Sequence, residues 1–251
     1  MIRFEAVSKS LGGREVLKEI SYEIQSGETF VIVGASGAGK SVSLKHMIRL
    51  LTPDSGRVLV GDECVSEARG EPLDRIRERF GFLFQSAALM QWLNVGDNIG
   101  LPLRMKTSKS DDEIDALVRE KLAMVNLEHA FDKHPSELSG GMRKRVGLAR
   151  AIITNPEIIL YDEPTSGLDP VTSRTIDRLI NQLRDELGVT SVVVTHDLHS
   201  ALAIGSRIAM LHEGRMVEVS APDTFVKSDN EFVRGFLEAQ YITTRGDWEK
   251  E

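Results

Sequence analysis

Cysteine is almost missing: Cys64 is the only one in 251 residues. An intrachain disulfide is therefore excluded, and a reducing compartment is expected. Long apolar runs are missing too, none reaching the ~18 residues that a membrane-spanning helix needs. Positive charge is in deficit, with 31 Lys and Arg against 38 Asp and Glu and a net charge of −7. A domain-wide basic footprint for nucleic acid is thus absent. There is no repeat of fixed period and no low-complexity segment. The start, Met1-Ile2-Arg3-Phe4-Glu5, enters a strand directly and does not read as a signal peptide. What is present is globular in balance, 41% hydrophobic and 27% charged. That amount of chain suits one large domain, or a core carrying a subdomain. The expectation is an acidic cytoplasmic protein with no membrane span of its own.

Periodicity divides the chain. Residues 2–7 and 16–24 alternate as strands around the turn signal Leu11-Gly12-Gly13. Thr29 to Val33 is a short, nearly continuous apolar run, as in a buried parallel strand. Helical spacing follows over 41–51, with strands at 56–60 and 80–84. Residues 87–156 carry mostly helical signals, including the capping-box sequence Ser110-Asp111-Asp112-Glu113. Strand character returns at 158–161 and 192–194. Between them Asp169-Pro170 supplies a cap and a first-turn proline for a helix to about Leu187. Residues 208–211 and 216–219 flank a Glu213-Gly214 turn as a hairpin, and short helices follow to about Ala239. The pattern gives an α/β core over 1–86 and 157–238, an inserted helical stretch over 87–156 and a polar tail over 239–251.

Two local patterns carry chemistry. Gly34-Ala35-Ser36-Gly37-Ala38-Gly39-Lys40-Ser41 matches GxxxxGK[ST], between a strand and a helix as that motif requires. Its glycines let the backbone wrap a phosphate, while amides and a helix N-terminus aim positive dipoles at it. Lys40 is expected to reach the β and γ phosphates and the Ser41 hydroxyl to ligate Mg²⁺, with Val42 continuing the site. The plain alternative is a glycine-rich turn with a solvated lysine. The second pattern is Ile158-Ile159-Leu160-Tyr161-Asp162-Glu163, an apolar strand ending in two carboxylates. Carboxyl ends of parallel strands are where such sheets bind ligands. Asp162 is then placed to hold Mg²⁺ through water, and Glu163 to orient or deprotonate an attacking water. Alone, such a pair is more often a solvated strand end; the phosphate loop upstream favours the site reading.

Leu138-Ser139-Gly140-Gly141-Met142 resembles the LSGGQ signature of ABC-type ATPases, with methionine in the last place. Other pieces stand in the family's order: Gln85 like the Q-loop, Ser166-Gly167-Leu168-Asp169 like the D-loop, and His196 like the switch histidine of the H-loop. The resemblance runs from residue 1 to about 238. It implies a P-loop NTPase with a RecA-like core, an N-terminal antiparallel β subdomain and an inserted α-helical subdomain. It also implies ATP hydrolysis with Mg²⁺, in a head-to-tail homodimer with two ATP molecules at the interface. Each site would combine 34–41, Gln85 (on Mg²⁺ and γ-phosphate), Asp162, Glu163 and His196 of one chain with 139–141 of the other. Local physics agrees, since Ser139 can cap a helix whose positive end wants an anion. His46, His129, His134, His199 and His212 take no role. One departure stands out: the place of the family's adenine-stacking aromatic is Leu11. Either Arg14 lays its guanidinium on the base, or Leu11 and Val16 give apolar contact only.

Smaller variations resemble the Mla/Mce group of bacterial lipid-transport ATPases: Gln85-Ser86-Ala87-Ala88-Leu89, the methionine ending of the signature, and Asp97-Asn98-Ile99 before Leu101-Pro102-Leu103. This implies a phospholipid or related cargo and a place on the cytoplasmic face of the bacterial inner membrane. The partners implied are an MlaE-like transmembrane permease dimer, a periplasmic Mce-domain lipid carrier and, in some systems, a STAS-domain protein; nucleic acid is not among them. Ala88, Leu89, Met90, Trp92 and Leu93 are expected in the groove that takes the permease's coupling helix, with plain subdomain core as the alternative. Tyr241 and Trp248 are aromatic anchors with which the tail could clasp a second copy; a frayed end is the other reading. Rival readings are an ATPase for import of amino acids or other solutes, a soluble ABC ATPase of translation or DNA repair, and a small-molecule P-loop kinase. The single cassette without a coiled-coil insertion disfavours the second, and the signature disfavours the third.

Overall fold

The computed structural model describes residues 1–242. In chain order the elements are β1 (Ile2–Leu11), β2 (Arg14–Ile24), β3 (Thr29–Val33), α1 (Lys40–Met47), β4 (Ser55–Val60), β5 (Glu63–Cys64), α2 (Glu71–Glu78), β6 (Phe80–Leu83), α3 (Val95–Lys106) and α4 (Asp111–Met124). After two 3₁₀ turns come α5 (Gly140–Ile152), β7 (Ile158–Asp162), α6 (Pro170–Leu187), β8 (Thr190–Thr195), α7 (Leu198–Ile204), β9 (Arg207–His212), β10 (Arg215–Ser220), α8 (Pro222–Phe225) and α9 (Glu231–Glu238). Contacts group them into two units: Met1–Ile76 with the chain from Val192 onward, and Arg77–Ser191. None of the described helices is long and apolar enough to cross a membrane.

In the first unit, β2-β1-β4-β5 form an antiparallel sheet, and β10-β9-β3-β8 lie in a second. The apolar run of β3 is buried at all five positions. It pairs in parallel with β9, Val31 facing Ile208 and Val33 facing Met210, while β9 and β10 form the expected antiparallel hairpin. The rings of Phe4, Tyr22 and Phe30 stack in series, 4.5 and 5.6 Å between centroids, joining the antiparallel sheet to β3. Such stacking adds roughly 0.5–1.5 kcal/mol per pair beyond the area buried. The helix after β3 stops at Met47, short of the expected Leu51. Arg49 turns left-handed at φ 53°, and the amides of Leu50 and Leu51 both return to the Lys45 carbonyl, closing the helix early.

In the second unit, β6 and β7 run parallel, from Phe80 opposite Ile158 to Leu83 opposite Tyr161. The capping box forms as written: Ser110 Oγ accepts from the Glu113 amide and the Glu113 carboxylate accepts from the Ser110 amide. Asp169 caps α6, which runs to Leu187 as expected and ends on left-handed Gly188. The amphipathic helix α2, most of which belongs to the first unit, is an element the apolar spacing did not announce; only Leu73 and Ile76 are buried in it.

Candidate functional site

The phosphate loop of the first unit is shaped by its glycines. At Gly34 a Cβ would lie 2.2 Å from the Leu211 carbonyl oxygen, so the loop passes flush over β9. Gly39, at φ 106°, has space only for hydrogen: a Cβ there would meet Leu17 Cδ2 at 2.8 Å and the Val16 carbonyl at 2.9 Å. Gly39 is also the N-cap of α1 and offers no side-chain acceptor to the first-turn amides. A helix start of this kind, with no capping side chain over it, suits an anion. Lys40 is buried, and its Nζ donates to the carbonyls of Gly34 and Ala35 at 2.8 and 3.2 Å, curling back over the loop. Ala35, Ser36 and Gly37 are exposed, Ala38 is buried, and Ser41 and Val42 are half-buried. This cradle fits an ATP polyphosphate.

Of the residues expected at the adenine, Val16 is the one that lies against the loop. Leu11 and Arg14 face each other across the β1–β2 hairpin, both exposed. Val16 follows, its carbonyl against Gly39. His196, exposed, follows β8. The next residue, Asp197, caps α7 by accepting from the amides of His199 and Ser200. Gln240, just past α9, grips this turn from outside: its Nε2 donates to the His196 carbonyl at 2.8 Å, and its Oε1 accepts from the Leu198 amide at 2.9 Å.

In the second unit Asp162 ends β7 and Glu163 follows, both 8% exposed. Glu163 is left-handed at φ 50°. Its carbonyl accepts from Lys144 Nζ at 2.7 Å and from the Ser166 amide at 3.3 Å. Lys144 is itself buried. Burial pulls its pKa down to about 8, against the attraction of Glu163 and Asp162. Gly167 then turns at φ 75°, and Asp169 caps α6 on the amides of Val171 and Thr172. The Thr172 hydroxyl and these amides hold the Asp169 carboxyl below the usual range.

The signature begins α5. Leu138 is buried, and exposed Ser139 is the N-cap, its Oγ accepting from the Met142 amide at 3.2 Å. A Cβ on Gly140 would lie 3.2 Å from Leu168, and one on Gly141 2.4 Å from Thr172 Cγ2. The helix start is thus seated on the 166–169 turn and α6. Gln85 is exposed after β6. Among the described residues no group of three or more His, Cys, Asp or Glu is arranged to hold a metal ion. Taken each in its own unit, Ser41 of the first carries a hydroxyl, and Gln85 and Asp162 of the second carry an amide and a carboxylate. Sparse oxygen donors of this kind fit Mg²⁺, which keeps several waters and shares phosphate oxygens.

The stretch after Gln85 is more rigid than its composition suggests. Ala87 and Ala88 are left-handed at φ 60° and 46°, and the Arg150 guanidinium donates to both carbonyls, at 2.6 and 2.8 Å. Asn98, fully buried, accepts from the Met90 amide and donates to the carbonyls of Met90, Leu93 and Asn94. Leu89 is buried, Leu93 half-buried, and Ala88, Met90 and Trp92 are exposed, Trp92 at 76%. A cavity of about 460 Å³ nearby is lined by Phe80, Phe82, Pro102, Leu103, Arg150 and Thr154 among others, and by none of the residues from Ala88 to Leu93. Tyr241 is 93% exposed. Trp248 lies outside the described residues. Lys144, Arg150 and Gln240 escaped the sequence reading. The one available signal was Lys144, which continues the buried face of α5 begun by Gly141 and resumed at Leu148.

Comparison with known proteins gives one consistent answer. The family model described as ABC transporter matches residues 17–166. The chain is 39% identical over 241 residues to the probable ribonucleotide transport ATP-binding protein mkl of Mycobacterium leprae, covering 96% of this chain and 70% of that protein. It is 40% identical over 249 residues to the methionine import ATP-binding protein MetN of Xanthomonas euvesicatoria, covering 98% and 71%. Among solved structures it is similar to the dimeric cassette MJ0796 bound to ADP and Pi, at 35% identity and TM-score 0.81, covering 88% of this chain and 99% of that one. It is also similar to cbiO1 of Clostridium perfringens, part of the cbiONQ transporter complex, at 29% identity and TM-score 0.82 with 94% of both chains covered.

Proposed function

This chain belongs to the ABC transporter family, as an ATP-hydrolysing domain that takes ATP with Mg²⁺, and on that premise we propose that it drives a lipid transporter of the bacterial envelope. The fold is that of the ABC ATPases, a P-loop α/β type with an antiparallel and a parallel sheet. The chain is the ATPase motor of a transporter; the cargo and the partners are our reading. The sequence after Gln85, held by Arg150 and Asn98, and the Leu-Ser-Gly-Gly-Met signature support the lipid reading. In it residues 87–156 form the helical subdomain, and two copies work with an MlaE-like permease dimer at the cytoplasmic face of the inner membrane. An Mce-domain carrier, and in some systems a STAS-domain protein, complete the assembly. The likeness to MetN supports a second reading, import of an amino acid.

The chemistry assigned to the site follows from its groups. The amides of 34–41 and the Lys40 ammonium bind the β and γ phosphates, with adenine held either under the Arg14 guanidinium or by apolar contact with Leu11 and Val16. Ser41, Gln85 and Asp162 hold Mg²⁺, which when bound neutralises phosphate charge. Glu163 orients a water for in-line attack on the γ-phosphorus. The new oxygen–phosphorus bond forms as the bond from phosphorus to the β–γ bridging oxygen breaks. The water's proton passes by way of Glu163 to phosphate, leaving ADP and Pi. His196, Lys40 and Ser139 of the partner subunit stabilise charge on the γ-phosphoryl group. The single observation that carries the hydrolytic reading is the built phosphate cradle, Gly34 and Gly39 flush against backbone with Lys40 folded over them. The decisive experiment for cargo is purification with native membrane partners and mass spectrometry of bound small molecules. Phospholipid retained with a permease supports the proposal; methionine or another solute in its place, or a ribosome-bound particle, overturns it.

A further inference from the structure

The mechanism above gives Lys144 no task, yet the chain buries it. An ammonium taken out of water is costly unless it is hydrogen-bonded and faces opposite charge. A methionine would fill the same space without that cost. The head of Lys144 is spent on one acceptor, the carbonyl of Glu163 at 2.7 Å. That carbonyl also accepts from the Ser166 amide, so the Glu163 turn and the 166–169 turn meet there. Glu163 is a left-handed non-glycine residue, a conformation that persists only where the surroundings hold it. The other end of the linkage is rigid as well. Lys144 sits in the second turn of α5, whose first turn is Gly140–Gly141, seated on Leu168 and Thr172 with no room for a Cβ at Gly141.

We propose that Lys144 is a positioning residue: it holds the backbone of Glu163 and ties the aim of that carboxylate to the seating of the signature helix. This rests on the reading of Glu163 as the water-orienting group and of the signature as acting on the second copy's ATP. In a head-to-tail dimer one chain's signature then serves one ATP and its Glu163 the other. Lys144 therefore joins the two nucleotide sites through a single chain. Engagement of the signature by phosphate sets α5, and α5 sets Glu163.

The test is steady-state ATP hydrolysis by the full chain with Lys144→Met and Lys144→Arg. The parent is expected to show a Hill coefficient for ATP clearly above 1. Lys144→Met is expected to lower kcat about tenfold, leave KM within about twofold and bring the Hill coefficient to about 1. Lys144→Arg, which keeps donor and charge, is expected to recover kcat to within about threefold of the parent. Should Lys144→Met fail to fold, Lys144→Gln is read by the same numbers. Glu163→Gln separates the proposal from its premise: near-normal hydrolysis there defeats the role of Glu163 itself. With Glu163→Gln inactive, a parent-like kcat and Hill coefficient in Lys144→Met overturns the proposal. So does a loss of kcat matched by an equal rise in KM and a lower melting temperature, which is the mark of packing alone.

Discussion

His46, on α1 behind the phosphate loop, is buried to 1% exposure and its Nδ1 donates to the Val42 carbonyl at 2.7 Å. Burial holds its pKa below the usual 6.5; Lys9 pushes the same way, while the Val42 carbonyl and Asp54 oppose. The folded chain therefore binds fewer protons here than the unfolded chain. Stability from this group is present above about pH 6.5 and lost as pH falls below it, by at most about 1.4 kcal/mol per pH unit. Denaturant midpoints at pH 7.5 and 5.5 check this: the parent should fall further than His46→Gln, and equal falls would sink the assignment. At this scale sequence was informative only where a residue type has little choice. Gly34, Gly39, Lys40 and Ser41 announce a phosphate cradle because a Cβ would strike backbone at both glycines, and the phosphate and its metal ion call for a cation and a hydroxyl beside them. Arg150 and Gln240 announce nothing, and Lys144 only its place on the buried face of α5, because each works by donating to backbone carbonyls far away in sequence, at Ala87 and Ala88, His196, and Glu163.

Elements were legible where a local rule fixes both ends. Asp169-Pro170 starts α6, Ser110 with Glu113 starts α4, and the apolar run of β3 needs burial on both faces. Helix α2 was not, since its mostly charged sequence buries only two side chains, too thin a stripe to show against turn-like neighbours. The start of α5 shows how packing between elements decides what the signature can tolerate. At Gly141 an added methyl carbon would stand 2.4 Å from Thr172 Cγ2, so Gly141→Ala must push α5 from α6. Overpacking of this sort costs roughly 1–3 kcal/mol. The cause is a single methyl, and Thr172→Ser removes it while keeping the hydroxyl that bonds Asp169. Thermal melts should therefore show Gly141→Ala destabilised and the double variant Gly141→Ala/Thr172→Ser restored by more than half. No restoration would mean that the glycine is needed for some reason other than Thr172.

At the scale of the molecule, each unit holds part of the proposed machinery. The first carries the phosphate loop, the adenine edge and His196; the second carries the signature, Asp162, Glu163 and the 166–169 turn. The seated helix start at Ser139 is the feature whose partner must come from elsewhere in the proposed mechanism, because this chain's own loop already cradles phosphate. That makes association conditional on ATP and on Ser139. In a Glu163→Gln background, where ATP is bound and not turned over, light scattering should show about 56 kDa with ATP, twice the 27.8 kDa of one chain. Adding Ser139→Arg removes the cap, worth about 1 kcal/mol, and puts a long cation where the helix end should meet phosphate. The double variant should stay at one-chain mass with ATP, while still binding a fluorescent ATP analogue within about threefold of the single variant, because its own phosphate loop is untouched. If the pair still forms, the signature does not act across the dimer, and the coupling assigned to Lys144 loses its second site. If ATP binding is lost along with the pair, Ser139 serves the nucleotide of its own chain instead.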